Sequence, residues 1–230
     1  LRLLTLAERD DLKSVVFRGS EAYLPDELTP VASDAARDLA ARAMGYTPER
    51  PLYVVAIGAI TNVASALLLN PEIRDRIVLV WLGGHALDWE DCLEFNLQQD
   101  IAAARIVFGC GAAVVQLPCM GVVSSFSVSG VELKAWLQGK SPLCDHLCSY
   151  SCQVGERESR YPKTWTRVIW DVTAVAWLLD GDFMLDCLKP SPIPTYEGVY
   201  AFDRNRHLIR YVYHINRDAL MTDLVEALIS

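Results

Sequence analysis

The apolar positions of the chain form short, uncharged runs rich in β-branched residues, and segments with helical spacing separate these runs. Runs of this kind predict strands that are buried on both faces of a sheet. The predicted strands are residues 52–57, 77–81 and 112–117. The predicted helices include residues 32–44, 63–69 and 101–108. This alternation predicts an α/β fold, with an open, mainly parallel sheet and helices on both faces.

The last third of the chain has a different pattern. Residues 198–202 and 207–214 flank a polar turn, which predicts a β-hairpin, and residues 217–229 predict a closing amphipathic helix. No internal repeat, low-complexity tract or linker interrupts the pattern. We therefore expect a single domain over residues 1–230.

Composition narrows the classes of function. The net charge of −8 and the pI of about 5.0 argue against a nucleic-acid surface, which needs a basic patch. No apolar run approaches the roughly 20 residues that cross a bilayer, so no membrane partner is expected. Seven cysteines without paired short-loop spacing favour a reducing, cytoplasmic location. Cys144, Cys148 and Cys152 are spaced by four, which favours a buried helix stripe over a metal site.

The stretch after the second predicted strand carries the first candidate ligand contacts. The strand ends at Gly83 and Gly84, where the backbone can turn sharply or let a ligand come close. Glu94 and Asn96 follow, two positions apart. Ligands of open α/β sheets bind at the carboxyl ends of the strands. Glu94 and Asn96 are therefore predicted to contact a polyhydroxylated ligand.

Other candidate site residues can be interpreted as structural residues or as ligand contacts. Asp171 precedes an apolar helix and is either an N-cap or a hard-metal ligand. Trp170 is either a core residue or a platform for a planar base. Thr61 or Asn62 is predicted to cap the helix at a strand-to-helix turn, and the position of this turn at the sheet edge where Glu94 lies also permits a ligand role. His85 and Asp88 are interpreted as solvated loop residues.

Three segments together resemble one family, the calcium-dependent nucleoside hydrolases of the inosine-uridine-preferring type. Residues 56–64, Ala-Ile-Gly-Ala-Ile-Thr-Asn-Val-Ala, are similar to the family's Gly-Pro-Leu-Thr-Asn turn. Leu82-Gly83-Gly84, Glu94-Phe95-Asn96 and Asp100-x-x-Ala103-Ala104 are similar to its Met-Gly-Gly, Glu-Phe-Asn and Asp-Pro-Glu-Ala-Ala motifs. Trp170-Asp171 stands at its His-Asp or Trp-Asp position. The order and spacing agree over nearly the whole chain.

The resemblance implies an enzyme that hydrolyses the N-glycosidic bond of ribonucleosides to ribose and free base with a calcium-bound water. Asp171 would then be a calcium ligand, and Thr61 would offer its backbone carbonyl to the metal. Glu94 and Asn96 would bind ribose hydroxyls. Trp170 stands where many members carry a histidine, and it would stack on the base, which favours purine nucleosides. The family also implies a homo-oligomer, a dimer or a tetramer.

The chain departs from the family pattern in two places. The loop before Glu94 lacks the usual asparagine, for which Asp88 is the candidate substitute. The N-terminal Asp-x-Asp-x-Gly-x-Asp-Asp motif is absent, and we expect it upstream of Leu1, in a first strand missing from this chain. The general base and most calcium ligands would lie there, so the domain is expected to be N-terminally incomplete. An exposed sheet edge would then favour self-association.

Two further functions stay open at this point. The chain could be a non-catalytic module that binds ribosides or a partner, having lost the catalytic strand. It could also hydrolyse another N-riboside, such as a nicotinamide nucleoside.

Overall fold

A computed structural model of the protein describes residues 1–179 and 181–230. The helices are α1 (Arg2–Leu6), α2 (Asp34–Ala43), α3 (Thr61–Leu69), α4 (Phe95–Gln99), α5 (Ile101–Gly109), α6 (Gly130–Leu137), α7 (Pro142–Glu158), α8 (Val172–Ala176) and α9 (Arg217–Ile229). The strands are β1 (Leu52–Ala56), β2 (Ile77–Leu82), β3 (Ala113–Leu117), β4 (Ser127–Ser129), β5 (Thr166–Val168), β6 (Met184–Pro190), β7 (Ile193–Pro194), β8 (Tyr200–Ala201) and β9 (Leu208–Ile215).

The chain divides into two compact units, each built from separate segments. One unit contains Leu1–Val16, Ser125–Ile169 and Asn216–Ser230. The other contains Phe17–Ser124 and Trp170–Ile215. The expectation of a single domain over residues 1–230 stays a prediction beside this division.

The larger unit contains a five-stranded sheet in the order β1-β2-β3-β9-β6. The pairs β1–β2, β2–β3 and β3–β9 are parallel, and β6 joins β9 antiparallel. The prediction of an α/β fold with a mainly parallel sheet is therefore confirmed.

Strand β2 shows why the sheet needs cover on both faces. Leu79 and Trp81 belong to one core cluster with residues of α3 and α5. The alternate residues Val80 and Leu82 are buried as well, and α8 contacts both β1 and β2. A strand without polar positions is stable only when both of its faces are removed from water.

The prediction that residues 198–202 and 207–214 form a β-hairpin is wrong. Strand β8 pairs instead with β7, and β9 lies inside the large sheet between β3 and β6. Ile209 and Val212 of β9 are buried there. Their burial favours long-range pairing over the local partner that the polar turn suggested.

The smaller unit is held by helix packing around Trp165. Strands β4 and β5 pair antiparallel, and α6 packs against α7. A Cβ at either Gly130 or Gly155 would lie 2.5 Å from the buried Trp165 ring, so both positions need glycine for close approach. Helix α6 begins with a capping box in which Ser129 and Glu132 satisfy each other's backbone amides.

Helix α7 carries the cysteine stripe. Cys144, Cys148 and Cys152 are buried free thiols, as expected for a stripe that packs as small apolar groups. Among the helices in the described residues, none combines the length and apolar character needed to cross a membrane.

Candidate functional site

Two loops at the carboxyl ends of β2 and β3 form the base of the site. They continue the sheet by backbone hydrogen bonds, because Gly83 N donates to Leu117 O at 3.2 Å, Cys119 N to Gly84 O at 2.8 Å and Ala86 N to Met120 O at 2.9 Å. The loop after β2 is thus held by the same kind of ladder as the strands.

Gly84 lets the backbone turn just after β2. Its φ of 74° lies in the left-handed region that favours glycine. A Cβ at this position would also lie 2.0 Å from the Tyr200 hydroxyl. The Gln116 side-chain amide donates to that hydroxyl and to Gly83 O, so a polar network supports the turn from behind.

Glu94 and Asn96 are anchored against this turn. Glu94 Oε2 accepts hydrogen bonds from Gly84 N at 3.0 Å and from Leu97 N at 3.1 Å, and the second bond caps α4. Asn96 Nδ2 donates to Leu82 O at 3.0 Å. Both side chains are buried. Their orientation is therefore set before any ligand arrives, while Glu94 Oε1 and Asn96 Oδ1 take no part in these bonds.

A cavity of about 450 Å³ opens above these two side chains. Its polar lining residues are His85, Glu94, Asn96 and Asp171. Its apolar lining residues are Ile57, Leu82, Phe95, Cys119, Met120 and Trp170. A volume in this range with a few converging polar groups suits a small polar molecule that carries a planar ring.

The structure brings together four of the six predicted site residues: Glu94, Asn96, Trp170 and Asp171 line this one cavity. Thr61 does not line it. Thr61 is buried at the start of α3, and its hydroxyl donates to Asp100 Oδ2 at 2.5 Å. Asp88 lines a separate cavity of about 730 Å³.

Asp171 does not cap α8. Its backbone is already helical, and its side chain makes no capping hydrogen bond. Asp171 lies at the cavity wall and is exposed to solvent on one side. The protein atoms on its other side partly desolvate the carboxyl group, which raises its pKa above the usual value. The interpretation of Asp171 as a residue whose side chain caps the helix is therefore wrong.

The sequence interpretation missed two lining residues, His85 and Cys119. Each stands just past the end of a buried strand, and that position was a usable signal. Burial raises the pKa of the Cys119 thiol, and the neighbouring Glu94 carboxylate raises it further. Cys119 is therefore a neutral group of the cavity wall at ordinary pH.

The lining residues do not by themselves form a calcium site. Calcium prefers about six to eight oxygen ligands. Within residues 1–179 and 181–230, no three His, Cys, Asp or Glu side chains are placed to share a metal ion. Asp171 contributes one carboxylate to the cavity, and Glu94 has one oxygen bound to two backbone amides.

The fold and the cavity define an α/β protein that presents fixed polar groups and aromatic side chains at the carboxyl ends of parallel strands. The sequence pattern of the inosine-uridine preferring nucleoside hydrolases matches residues 7–220. The chain belongs to this family.

Curated relatives match a shorter part of the chain. The pyrimidine-specific ribonucleoside hydrolase RihA of Citrobacter koseri is 36% identical over 95 residues, which cover 40% of this chain and 30% of the relative. RihA of Escherichia coli O1:K1 / APEC is 39% identical over 70 residues, which cover 29% of this chain and 22% of the relative. The matched part thus spans less than a third of these relatives.

Solved structures share the fold. A plant nucleoside hydrolase, PpNRh1, superposes with a TM-score of 0.80 at 18% identity, covering 100% of this chain and 84% of that chain. A purine-preferring ribonucleoside hydrolase from Gardnerella vaginalis superposes with a TM-score of 0.71 at 19% identity, covering 100% of this chain and 74% of that chain.

Proposed function

We propose that the protein containing this chain hydrolyses the N-glycosidic bond of ribonucleosides to ribose and a free base. The observation that carries the proposal is the convergence of Glu94, Asn96, Trp170 and Asp171 on one cavity. Family membership supplies the reaction class.

Glu94 and Asn96 are suited to bind the ribose hydroxyls. A carboxylate accepts hydrogen bonds only, whereas a carboxamide both accepts and donates. A diol needs such a combination. Because both side chains are fixed by backbone groups of residues 82–84 and 97, binding a sugar here requires little reorganisation.

The carboxylates also favour the transition state of the reaction. Cleavage of an N-riboside builds positive charge on the sugar ring, and negative groups held close to the ring lower the energy of that state. Glu94 and Asp171 are the carboxylates that line the cavity.

We infer the preferred base from Trp170 and its apolar neighbours. Phe95, Met120 and Ile57 line the cavity together with Trp170 and offer flat or apolar surface to a planar base. We propose purine nucleosides because Trp170 is suited to stack on the larger ring. The relatives bear two different names, pyrimidine-specific and purine-preferring, so both substrate classes belong in the test.

The test is release of ribose by the full-length protein from inosine, guanosine, uridine, cytidine and nicotinamide riboside, with and without a calcium chelator. We expect release that is greatest with purine nucleosides and that falls on chelation. Glu94→Gln should lower kcat/KM by about 10²–10³-fold, the usual effect of removing one transition-state contact.

The matched control is Glu90→Gln, a substitution in the same loop at an exposed residue outside the cavity lining. It should leave kcat/KM within about twofold of the parent, since exposed side chains away from a site have little effect. A full-length protein that releases no ribose from any of the five nucleosides would contradict the proposal.

A non-catalytic riboside-binding module is the second candidate. The observation in its favour is that the described residues hold too few ligands for a calcium ion. Calorimetric titration with inosine separates the two candidates. Binding that Glu94→Gln abolishes, without any ribose release, would support the binding module.

A further inference from the structure

Among the polar residues that line the cavity, His85 is the one whose chemistry the proposed function leaves unused. It directly follows Gly84 at the start of the loop after β2, and its side chain is 14% exposed. The other three histidines, His146, His207 and His214, do not line this cavity. An imidazole held at a ligand cavity by a hydrogen bond to the backbone requires an explanation.

The hydrogen bond at His85 Nδ1 determines which ring nitrogen carries the proton. Met120 N donates to His85 Nδ1 at 3.3 Å. A backbone amide can only donate, so Nδ1 supplies the lone pair and the proton of the neutral ring is on Nε2.

The Nε2–H group keeps its capacity to donate. Asp91 Oδ1 lies 3.8 Å from Nε2, which is longer than a hydrogen bond. That oxygen already accepts a hydrogen bond from Leu93 N at 2.8 Å. A ligand acceptor in the cavity can therefore bind Nε2–H without displacing an existing bond of the imidazole.

The position of His85 favours the base over the sugar as its ligand. The imidazole accepts its hydrogen bond from the backbone amide of Met120, a residue of the apolar lining, whereas the proposed sugar contacts Glu94 and Asn96 bond to the backbone at the end of β2. The acceptor atoms of a nucleobase lie on its edge, so a donor beside an apolar wall suits a base that packs on that wall.

We propose that His85 recognises the nucleobase by donating a hydrogen bond from Nε2 to an acceptor atom of the base. This inference rests on the proposed function. As the C1′–N bond breaks, its electron pair moves to the base, and the hydrogen bond stabilises the charge that develops there. The water consumed supplies the hydroxyl of ribose and the proton of the base. His85 keeps its proton throughout, because a neutral ring that gave up Nε2–H would become an anion.

The first test locates His85 relative to a ligand without any turnover. The full-length protein, labelled with ¹⁵N in its histidines, is titrated separately with hypoxanthine and with ribose. We expect the His85 nitrogen shifts to show the Nε2–H tautomer and to move with hypoxanthine but not with ribose. Movement with ribose alone, or the opposite tautomer, would overturn the inference.

The second test is kinetic. His85→Leu should lower kcat/KM for inosine by about 10–100-fold, the usual effect of one lost polar contact to a ligand. It should change kcat/KM for p-nitrophenyl ribofuranoside less than about threefold, because that leaving group has no base edge. His85→Gln, which places an amide N–H near the position of Nε2, should recover most of the inosine activity.

The control variant is His214→Leu at an exposed residue of β9, which should match the parent on both substrates. Equal losses on both substrates in His85→Leu would indicate a merely structural role and overturn the inference. Failure of the unmodified protein to bind hypoxanthine or ribose and to cleave inosine would contradict the proposed function itself. Binding of hypoxanthine that leaves His85 unchanged would contradict only the role of His85.

Discussion

The Asp100 carboxylate joins three parts of the larger unit. It is 3% exposed and accepts hydrogen bonds from Ala103 N at 2.9 Å, Leu24 N at 3.0 Å and the Thr61 hydroxyl at 2.5 Å. The first bond caps α5, the second holds the segment before α2, and the third holds the start of α3. One residue thus fixes how the helices leave the edge of the sheet at which the cavity opens.

Replacing Asp100 should be costly. Asp100→Ala leaves three donors without their acceptor, two of them backbone amides, and we expect the free energy of unfolding to fall by about 3–5 kcal/mol. Urea denaturation of the purified protein measures this loss. Asp38→Ala, which removes an exposed ion pair with Arg42 on α2, should cost less than about 1 kcal/mol. A loss below about 1 kcal/mol for Asp100→Ala would refute the linking role.

Cys92 is expected to make the free energy of unfolding depend on pH in the alkaline range. The residue is buried, and its burial raises the pKa of the thiol from 9.0 to about 11, with a smaller contribution from Asp91. The unfolded chain therefore loses this proton at a lower pH than the folded chain does. The stabilisation is fully present below pH 9 and is lost as the pH rises toward 11.

A shift of this size corresponds to about 2–3 kcal/mol. We therefore expect the free energy of unfolding of the parent protein to fall by about that much more between pH 9 and pH 11 than that of Cys92→Ala. Urea titrations at pH 7.5, 9, 10 and 11 give the comparison. Parallel curves for the two proteins would show that Cys92 does not carry the effect.

Residue-level roles were only partly predictable. The sequence was enough to place Glu94 and Asn96 at the carboxyl end of a buried strand, where they line the cavity, and their contact with a ligand stays a prediction. His85 and Cys119 also follow buried strands, but a histidine in a loop and a cysteine after a proline have many structural uses, so the position alone did not single them out. Their roles depend on the ladder between the two loops, and the sequence of neither loop specifies it.

At the level of elements, the two edges of the large sheet differ. Strand β6 carries Asp186, Lys189 and Pro190 and is bulged at Leu185/Asp186, features that discourage pairing with another strand. Strand β1 has no charged residue, pairs with β2 alone among the described strands, and leaves Tyr53 51% exposed. This edge is therefore the one at which another strand can add.

We expect the isolated 230-residue chain to self-associate through β1. Tyr53→Lys places a charge at the edge and should shift the molar mass measured by light scattering toward the monomer. Leu185→Lys, a similarly exposed position at the β6 edge, should leave the molar mass unchanged. A monomeric parent chain, or equal effects of the two substitutions, would refute the prediction.

Across the whole molecule, the alternation of apolar runs and helical segments was enough to predict the fold class. Parallel strands of this kind need covering helices, and both appear in the sequence as local patterns. Long-range pairing was not predictable in the same way. Val115 pairs with Arg210, and the smaller unit gathers three separated segments. Such contacts depend on burial summed over many residues, so a polar turn near β9 suggested the wrong partner.

The ladder between the β2 and β3 loops has a consequence for motion. Because Gly83, Ala86 and Cys119 donate their amide protons into it, these amides should exchange with solvent on the timescale of sheet opening rather than of loop fluctuation. The floor of the cavity is thus preorganised, and a ligand that settles on it loses little affinity to the ordering of these loops. Closure over the ligand by the backbone of these two loops would have to break this ladder, whereas the exposed side chain of Phe95 takes no part in it.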